Sequence, residues 1–229
     1  MQCSVCGGTS FTSHKVLWAN LINEWQLSAT EVDYINDQQG KKCNQCGSNI
    51  RSIALANAIR SHLGTKSFLN EAAKSSLANE LSILEINEAG TLTPILKTFK
   101  QYTFGAYPEV DMHAMPYRDN LFDIVVHSDT LEHIKNPTHA LVECHRVLKP
   151  NGALCFTVPI IVGRMSRNRE GLAKSFHGNP ALLADDFVVH TEFGADVWTY
   201  ILEAGFEDVS IHSFAYPAGI AFLAKKNHA

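Results

Sequence analysis

The sequence predicts an α/β protein: a mostly parallel sheet preceded by a small module held by cysteines. Three observations carry that expectation. Residues 111–159 read as acidic loop, buried strand, charged turn, amphipathic helix, Pro-Asn-Gly turn and second buried strand, which is one βαβ step. The polar residues of that step fall at the C-terminal end of a strand, where open α/β sheets bind their ligands. Four of the six cysteines form two CxxC pairs, Cys3 with Cys6 and Cys43 with Cys46, each followed by glycine.

The chain has 229 residues, enough for one large domain, or a medium domain with an appendage. A hydrophobic share of 45% and a charged share of 18% describe an ordinary globular protein. The formal charge of −4 gives no global attraction to nucleic acid or to an anionic membrane. The N-terminus has no basic stretch leading into an apolar core, and no run approaches membrane-spanning length, so a cytoplasmic protein is expected.

From the N-terminus, the first element is the cysteine module. A CxxC loop followed by Gly7 or Gly47 lets two thiolates point at one ion, and two such knuckles make a tetrahedral four-sulfur site. A structural zinc ribbon with Cys3, Cys6, Cys43 and Cys46 as ligands is the expected reading. A redox dithiol or two disulfides are the alternatives, both at odds with a reducing compartment. Between the knuckles, Ser28 to Glu31 is a capping box that opens a helix with Gly40 as its stop. A second helix is expected over about 49–62, with Ile53, Leu55, Ala56 and Ile59 on its apolar side, bridging the module to the sheet.

Strands follow at 81–86 and 101–104. The β-branched run from Phe122 to His127 is too short for a helix and suits a strand buried on both faces. Asn136-Pro137 starts a helix, since the Asn side chain can cap free amides and proline at the first position costs no bond. Leu141, Cys144 and Leu148 recur at helical spacing, and Lys149 to Gly152 turns the chain into a strand over 153–158. Cys144 and Cys155 are expected in the core. A helix over 194–204 and two final strands, 208–213 and 219–225, complete the chain.

Asp111, Met115-Pro116-Tyr117, Phe122-Asp123, Leu131-Glu132-His133 and the run from Arg146 to Gly152 together resemble the class I S-adenosylmethionine-dependent methyltransferases. The resemblance runs, more weakly, from about Leu81 to the C-terminus. It implies a Rossmann-like seven-stranded methyltransferase sheet, with a zinc-ribbon and helical cap over 1–64 and the methyltransferase-like domain over 65–229. It also implies S-adenosylmethionine as cofactor, held by Glu85, Asn87, Gly90, Asp111, Met112 and Ser128. In that family the first strand ends in a Glu-x-Gly-x-Gly-x-Gly-like loop. Here Asn87 and Ala89 stand at glycine positions and Gly90 remains. The acid that normally holds the ribose is also missing unless Glu109 serves, and 105–111 leaves no room for the helix that usually follows the second strand.

For the chemistry, His133 is the first candidate base, with Asp129 beside it at the mouth of the site and His127 a further possibility. The alternative is that Glu132 and His133 merely brace the following loop. Arg164, Arg167, Arg169 and Lys174, in a segment running to His177-Gly178-Asn179-Pro180, are candidates to receive a phosphate or carboxylate of an anionic acceptor, a solvated surface loop being the other reading. His190 and Glu192 would face the acceptor from the opposite wall. The expected activity is methyl transfer to a small-molecule or sugar-like acceptor. A catalytically inactive methyltransferase fold with an eroded cofactor loop is the second reading. An RNA methyltransferase or RNA-binding protein is the third and weaker one, because the ribbon region has few basic or exposed aromatic residues. The oligomeric state is not legible.

Overall fold

The computed structural model describes residues 1–176 and 187–227. In chain order the elements are β1 (Phe11–Thr12), α1 (Ala19–Glu24), α2 (Ala29–Gly40), β2 (Lys42–Cys43), α3 (Ile50–His62), α4 (Leu69–Ala72), α5 (Ser76–Glu80) and β3 (Ser82–Ile86). Then come α6 (Thr93–Leu96), β4 (Gln101–Gly105), β5 (Phe122–Ser128), α7 (Pro137–Val147), β6 (Leu148–Thr157), β7 (Ile160–Ile161) and β8 (Arg167–Asn168). The chain closes with β9 (Thr191–Gly194), α8 (Val197–Glu203), β10 (Asp208–Phe214) and β11 (Gly219–Lys225).

The main sheet has the order β10-β11-β6-β5-β3-β4. Strands β4, β3, β5 and β6 are parallel, while β11 runs antiparallel to β6 and to β10. The expected seventh strand is absent among the described residues. After β4 the chain turns at once, Val110 N–H donating to the Ala106 carbonyl at 2.8 Å. A parallel crossover needs about a dozen residues or more, and the span from Gly105 to Asp111 is too short for one. A Cβ on Gly105 would lie 2.8 Å from Val110, so glycine lets the turn fold back onto the strand.

Strand alternation splits the core between two faces. Ile83, Ile124, Val126 and Cys155 pack with α3 on one side, while Leu84, Val125, Leu154 and Phe156 pack with α7 and α8 on the other. The motif residues bind the strands at their lower ends. The Asp123 carboxylate accepts from Ser82 N–H (2.8 Å), Ser82 Oγ (2.6 Å) and Lys149 Nζ (2.7 Å), joining the starts of β3, β5 and β6.

Three expected boundaries shift. Gly40 is the last residue of α2, packed so closely on the His14 carbonyl that a side chain would not fit. Gly194 belongs to β9 rather than to a helix, again because backbone, here Arg164 and Met165, lies against its α-carbon; α8 begins at Val197. Helix α3 is buried nearly all round instead of along one stripe, since it lies on β11, β10 and β6 while the cysteine module and α2 cover its outer side. Ile50 at its start joins a third core with Leu21, Trp25, Tyr34 and Ile161. The N-terminal helices thus sit over the C-terminal edge of the sheet.

Candidate functional site

The four cysteines converge. Cys3 Sγ lies 3.7 Å from Cys46 Sγ, Cys6 Sγ lies 3.7 Å from Cys43 Sγ, and all four sulfurs fall within 4.8 Å of one another. All are free thiols, too far apart for disulfides. A zinc–sulfur distance of about 2.3 Å gives a tetrahedral edge of about 3.8 Å, so the donor set fits a zinc ion. Gly7 (φ 84°) and Gly47 (φ 75°) supply the left-handed turn of each knuckle. Burial pushes the Cys3 thiol up and Cys6 to about 11, and Cys3 and Cys43 are buried while Cys6 and Cys46 are half-buried, so four thiolates this close need a cation to coexist. The set is coordinatively closed, which suits structure rather than chemistry. Immediately beyond it, Ser48 accepts a hydrogen bond from Thr91 Oγ at 2.9 Å, joining the cysteine module to the loop after β3.

That loop opens the mouth of the sheet. In register, Ile86 pairs with Gly105 of β4 and His127 of β5, and Ser128 pairs with Thr157, so four strands end together. Asn87 adopts φ 55°, the left-handed conformation that Asn tolerates better than most residues. Its side chain crosses the mouth, donating to Thr130 Oγ1 (3.4 Å) and accepting from Tyr107 N–H (3.3 Å). Gly90 (φ 59°) has open space where a Cβ would stand. Glu85 does not reach the mouth. Its buried carboxylate accepts from Ala89 N–H (2.7 Å), Thr93 Oγ1 (2.5 Å) and Tyr102 OH (2.5 Å), which makes it the brace of the loop.

The acidic loop lies next to it. Asp111 accepts from the His113 amide at 2.8 Å, which with the nearby imidazole holds its carboxyl below the usual range. Met112 is buried beneath. The loop is clamped from α7: Glu143 accepts from Met115 N–H (2.8 Å), and Arg146 donates to the carbonyls of Met115 (3.0 Å) and Tyr117 (2.7 Å). The Arg-Val-Leu-Lys-Pro run therefore matters to the site through Arg146.

At the end of β5 the candidate side chains separate. His127 is fully buried, its ring stacked on Phe156 at 4.8 Å, and burial drives it down to about 3. It is a neutral core group and is removed from the candidate bases. Ser128 Oγ lies 2.8 Å from Thr157 Oγ1. Asp129 takes φ 50° and ion-pairs with Arg51, its other carboxylate oxygen Oδ1 being buried with no partner among the described residues. His133 Nδ1 lies 3.1 Å from the Val188 carbonyl, which assigns the proton to Nδ1 and leaves Nε2 as the basic nitrogen, 3.7 Å from Glu132 Oε1. Burial raises the Glu132 carboxyl against the opposing pull of His133 and Arg51.

Arg51 is the site residue that sequence reasoning missed. It stands on the buried helix α3, and a charge among Ile50, Ile53 and Ala54 is the one signal that could have found it. With the Gln39 amide turned oxygen-inward, Arg51 also donates to Gln39 at 3.1 and 3.2 Å, so it reaches from the cap to Asp129.

The arginines expected to receive an anion are committed elsewhere. Arg164 donates to Glu31 (2.8 Å) and to the carbonyls of Trp25 (2.8 Å) and Gln26 (2.9 Å). Arg167 and Arg169 both pair with Glu192, which is buried beneath them and so faces no acceptor. They pin the cap and β9 in place. His190 donates its backbone N–H to the Glu132 carbonyl (2.7 Å), tying β9 to the β5 turn. The expected stretch from His177 to Pro180 lies outside the described residues.

The first crossover loop, the acidic loop and the β5 turn lie at the C-terminal ends of the parallel strands, the place where open α/β sheets bind ligands. Residues 64–156 match the family described as a methyltransferase domain. Over 57 residues the chain is 37% identical to the glycine/sarcosine/dimethylglycine N-methyltransferase of Actinopolyspora halophila, covering 25% of this chain and 10% of that protein. Over 44 residues it is 46% identical to an uncharacterized methyltransferase of Schizosaccharomyces pombe, covering 19% and 16%. The matches thus span about a tenth and a sixth of those relatives. Among solved structures, the [4+2]-cyclase SpnF superposes with TM-score 0.44 at 16% identity, covering 77% of this chain and 94% of that one. An S-adenosylmethionine-dependent methyltransferase of Thermotoga maritima, described as a possible histamine N-methyltransferase, superposes with TM-score 0.45 at 14% identity, covering 91% and 97%. No helix among the described residues is long and apolar enough to cross a membrane.

Proposed function

We propose that the protein transfers a methyl group from S-adenosylmethionine to a small-molecule acceptor, with a zinc-held cap over the acceptor side. The observation that carries the reading is the match of residues 64–156 to a methyltransferase domain, supported by Asn87 and Gly90 following β3 and Asp129 following β5, parallel neighbours that end on the same side of the sheet. The orphaned Asp129 Oδ1 and the open space at Gly90 fit a polar ligand there. Asp111 and the Met112 backbone would hold the adenine, Asn87 and Gly90 the methionine end, and Ser128 the β5 side. Glu109, exposed on the turn after β4, is the acid available for the ribose.

When bound, the cofactor supplies an electrophilic methyl: the acceptor's lone pair bonds to the methyl carbon, the carbon–sulfur pair stays on sulfur, and the acceptor's proton leaves to a base. His133 Nε2 is the base in this reading. Asp129, paired with Arg51, orients the acceptor. The division at residue 64 separates the cap from the cofactor domain in function.

Calorimetric titration of the zinc-loaded protein with S-adenosylmethionine and S-adenosylhomocysteine tests this. The expected result is micromolar binding of both, weakened about tenfold, or about 1.4 kcal/mol, by Asp111→Ala. The second reading, a non-catalytic binding protein, is favoured by one observation, the Asn87 side chain laid across the mouth between Thr130 and Tyr107. Absence of binding in a folded sample would decide for it.

A further inference from the structure

Beneath the cap lies a cavity of about 290 Å³, walled by α1, α2 and the chain just past β6. Its walls are carbon-rich: Trp18, Leu21, Trp25, Ile35 and Ile160 are among them, and among the described residues no charged side chain lines it. Trp25 is held rigid, its indole N–H donating to Ser175 Oγ at 2.9 Å and the Arg169 guanidinium standing 5.7 Å from its ring centre. The indole's polar atom is thereby spent, and the wall it offers is apolar. The polar lining comes from two neutral amides, Gln38 and Gln39, and Gln38 Nε2 is engaged with the Ala218 carbonyl at 3.0 Å.

Gln39 gives the cavity a direction. It lines the cavity and accepts from Arg51, which pairs with Asp129 at the end of β5. Pro159 lies two residues beyond Thr157, the partner of Ser128 at the same sheet edge. The Gln39 and Pro159 side of the cavity is thereby tied to residues of the polar mouth, and the rest of its lining is aromatic and aliphatic.

We infer that this cavity binds a neutral, largely apolar, ring-bearing acceptor with one hydroxyl, its ring between the cap tryptophans and Ile160 and its hydroxyl toward Gln39. The inference deepens the methyl-transfer reading and rests on it for the word acceptor. The physical reason is desolvation. A sugar brings several hydroxyls into walls that can pair few of them, and an anion meets no charged lining among the described residues, Arg164, Arg167 and Arg169 being paired with acids. A volume near 290 Å³ is at the small end of the ~300–1,000 Å³ usual for ligand pockets, so one or two rings fill it.

The test uses the whole zinc-loaded protein and three probes: 1-naphthol, 1-naphthyl phosphate and methyl glucoside. Binding is read by tryptophan fluorescence and calorimetry, with S-adenosylmethionine titrated separately. The expected result is saturable 1-naphthol binding, at least tenfold weaker binding of the phosphate ester and none of the glucoside. Ile35→Trp, which fills the cavity, should weaken naphthol at least tenfold while leaving cofactor affinity and the melting temperature unchanged. Trp18→Ala at the half-open rim provides a second, less intrusive loss of binding. Equal or tighter binding of the phosphate or glucoside, no naphthol binding, or naphthol binding indifferent to both variants would overturn the inference. Cofactor binding without naphthol binding would sink the cavity assignment alone. Naphthol binding without cofactor binding would keep the cavity and remove the methyl-transfer reading.

Discussion

The two halves of the sheet mouth hold their polar groups in opposite ways. Over β3 and β4, Asn87 and Asp111 are placed by their own neighbours: Asp111 by the amide two residues on, Asn87 by a left-handed φ and two long hydrogen bonds. Over β5 and β6, Glu132 is buried beside His133 and Asp129 is half-buried, and the counter-charge of Asp129 arrives from Arg51, far away in sequence on α3. A locally built, solvent-touching half can change its affinity for a ligand without unfolding. A half built from buried charge cannot lose a partner without threatening the fold, because an unpaired buried charge costs several kcal/mol.

That contrast can be broken at its root in the metal module. Cys43→Ser should release the ion and melt the N-terminal module, since structural zinc supplies on the order of 10–16 kcal/mol of binding energy in small zinc modules. Metal content and melting temperature report it, and unchanged metal content would remove the ribbon assignment. Because Ser48 holds Thr91, cofactor affinity should fall in the same variant, showing that the local half also leans on the cap.

A smaller effect follows from Arg51→Met, which leaves Asp129 without its partner cation. Denaturant unfolding should show a loss of about 3–5 kcal/mol, with part of it recovered by adding Asp129→Asn. A neutral outcome would mean that buried charge does not distinguish the two halves.

Next comes the strap between the cap and the chain after β6. The Arg164 guanidinium lowers the Glu31 carboxyl from 4.5 to about 2. A depressed carboxyl contributes stability that is full above its unfolded value and fades as pH falls through the folded one. The strap is thus intact above about pH 4.5 and lost toward pH 2, for a contribution of roughly 3 kcal/mol. Glu31→Gln should cost most of that at pH 7 and nothing at pH 2, as read by urea unfolding.

His127 gives the smallest change, and its replacement stabilises where that of Glu31 destabilises, although both groups cost stability as pH falls. Its folded value of about 3 lies below the ordinary 6.5, so the unfolded chain takes up a proton that the native one refuses. Stability therefore drops as pH falls from about 6.5 toward 3. His127→Leu should remove that slope and stabilise the protein at pH 7 by about 1–3 kcal/mol, since two buried ring nitrogens without partners disappear. Turnover should survive the change, in keeping with a core role.

By itself the sequence determined whatever depends on neighbours along the chain. Spacing of two CxxC pairs brought four sulfurs together, Ser28 and Glu31 formed the expected capping box, and Asn49 and Asn136 capped their helices. Alternation and turn chemistry placed β3, β5, β6 and the final hairpin, because strand burial and helix capping are local rules. The Asn87 backbone followed from the same logic. Tertiary structure decided the rest. It consumed Glu85 and the arginines in internal pairs, buried His127, ended the sheet at six strands, and brought Gln39 and Arg51 to Asp129 beside an apolar cavity. Those outcomes depend on which long-range partner satisfies each buried polar group and on how α1 and α2 close over the sheet edge. Neither carries a periodicity that a single chain displays, because a side chain's charge partner is set by packing across the fold rather than by its place in the sequence.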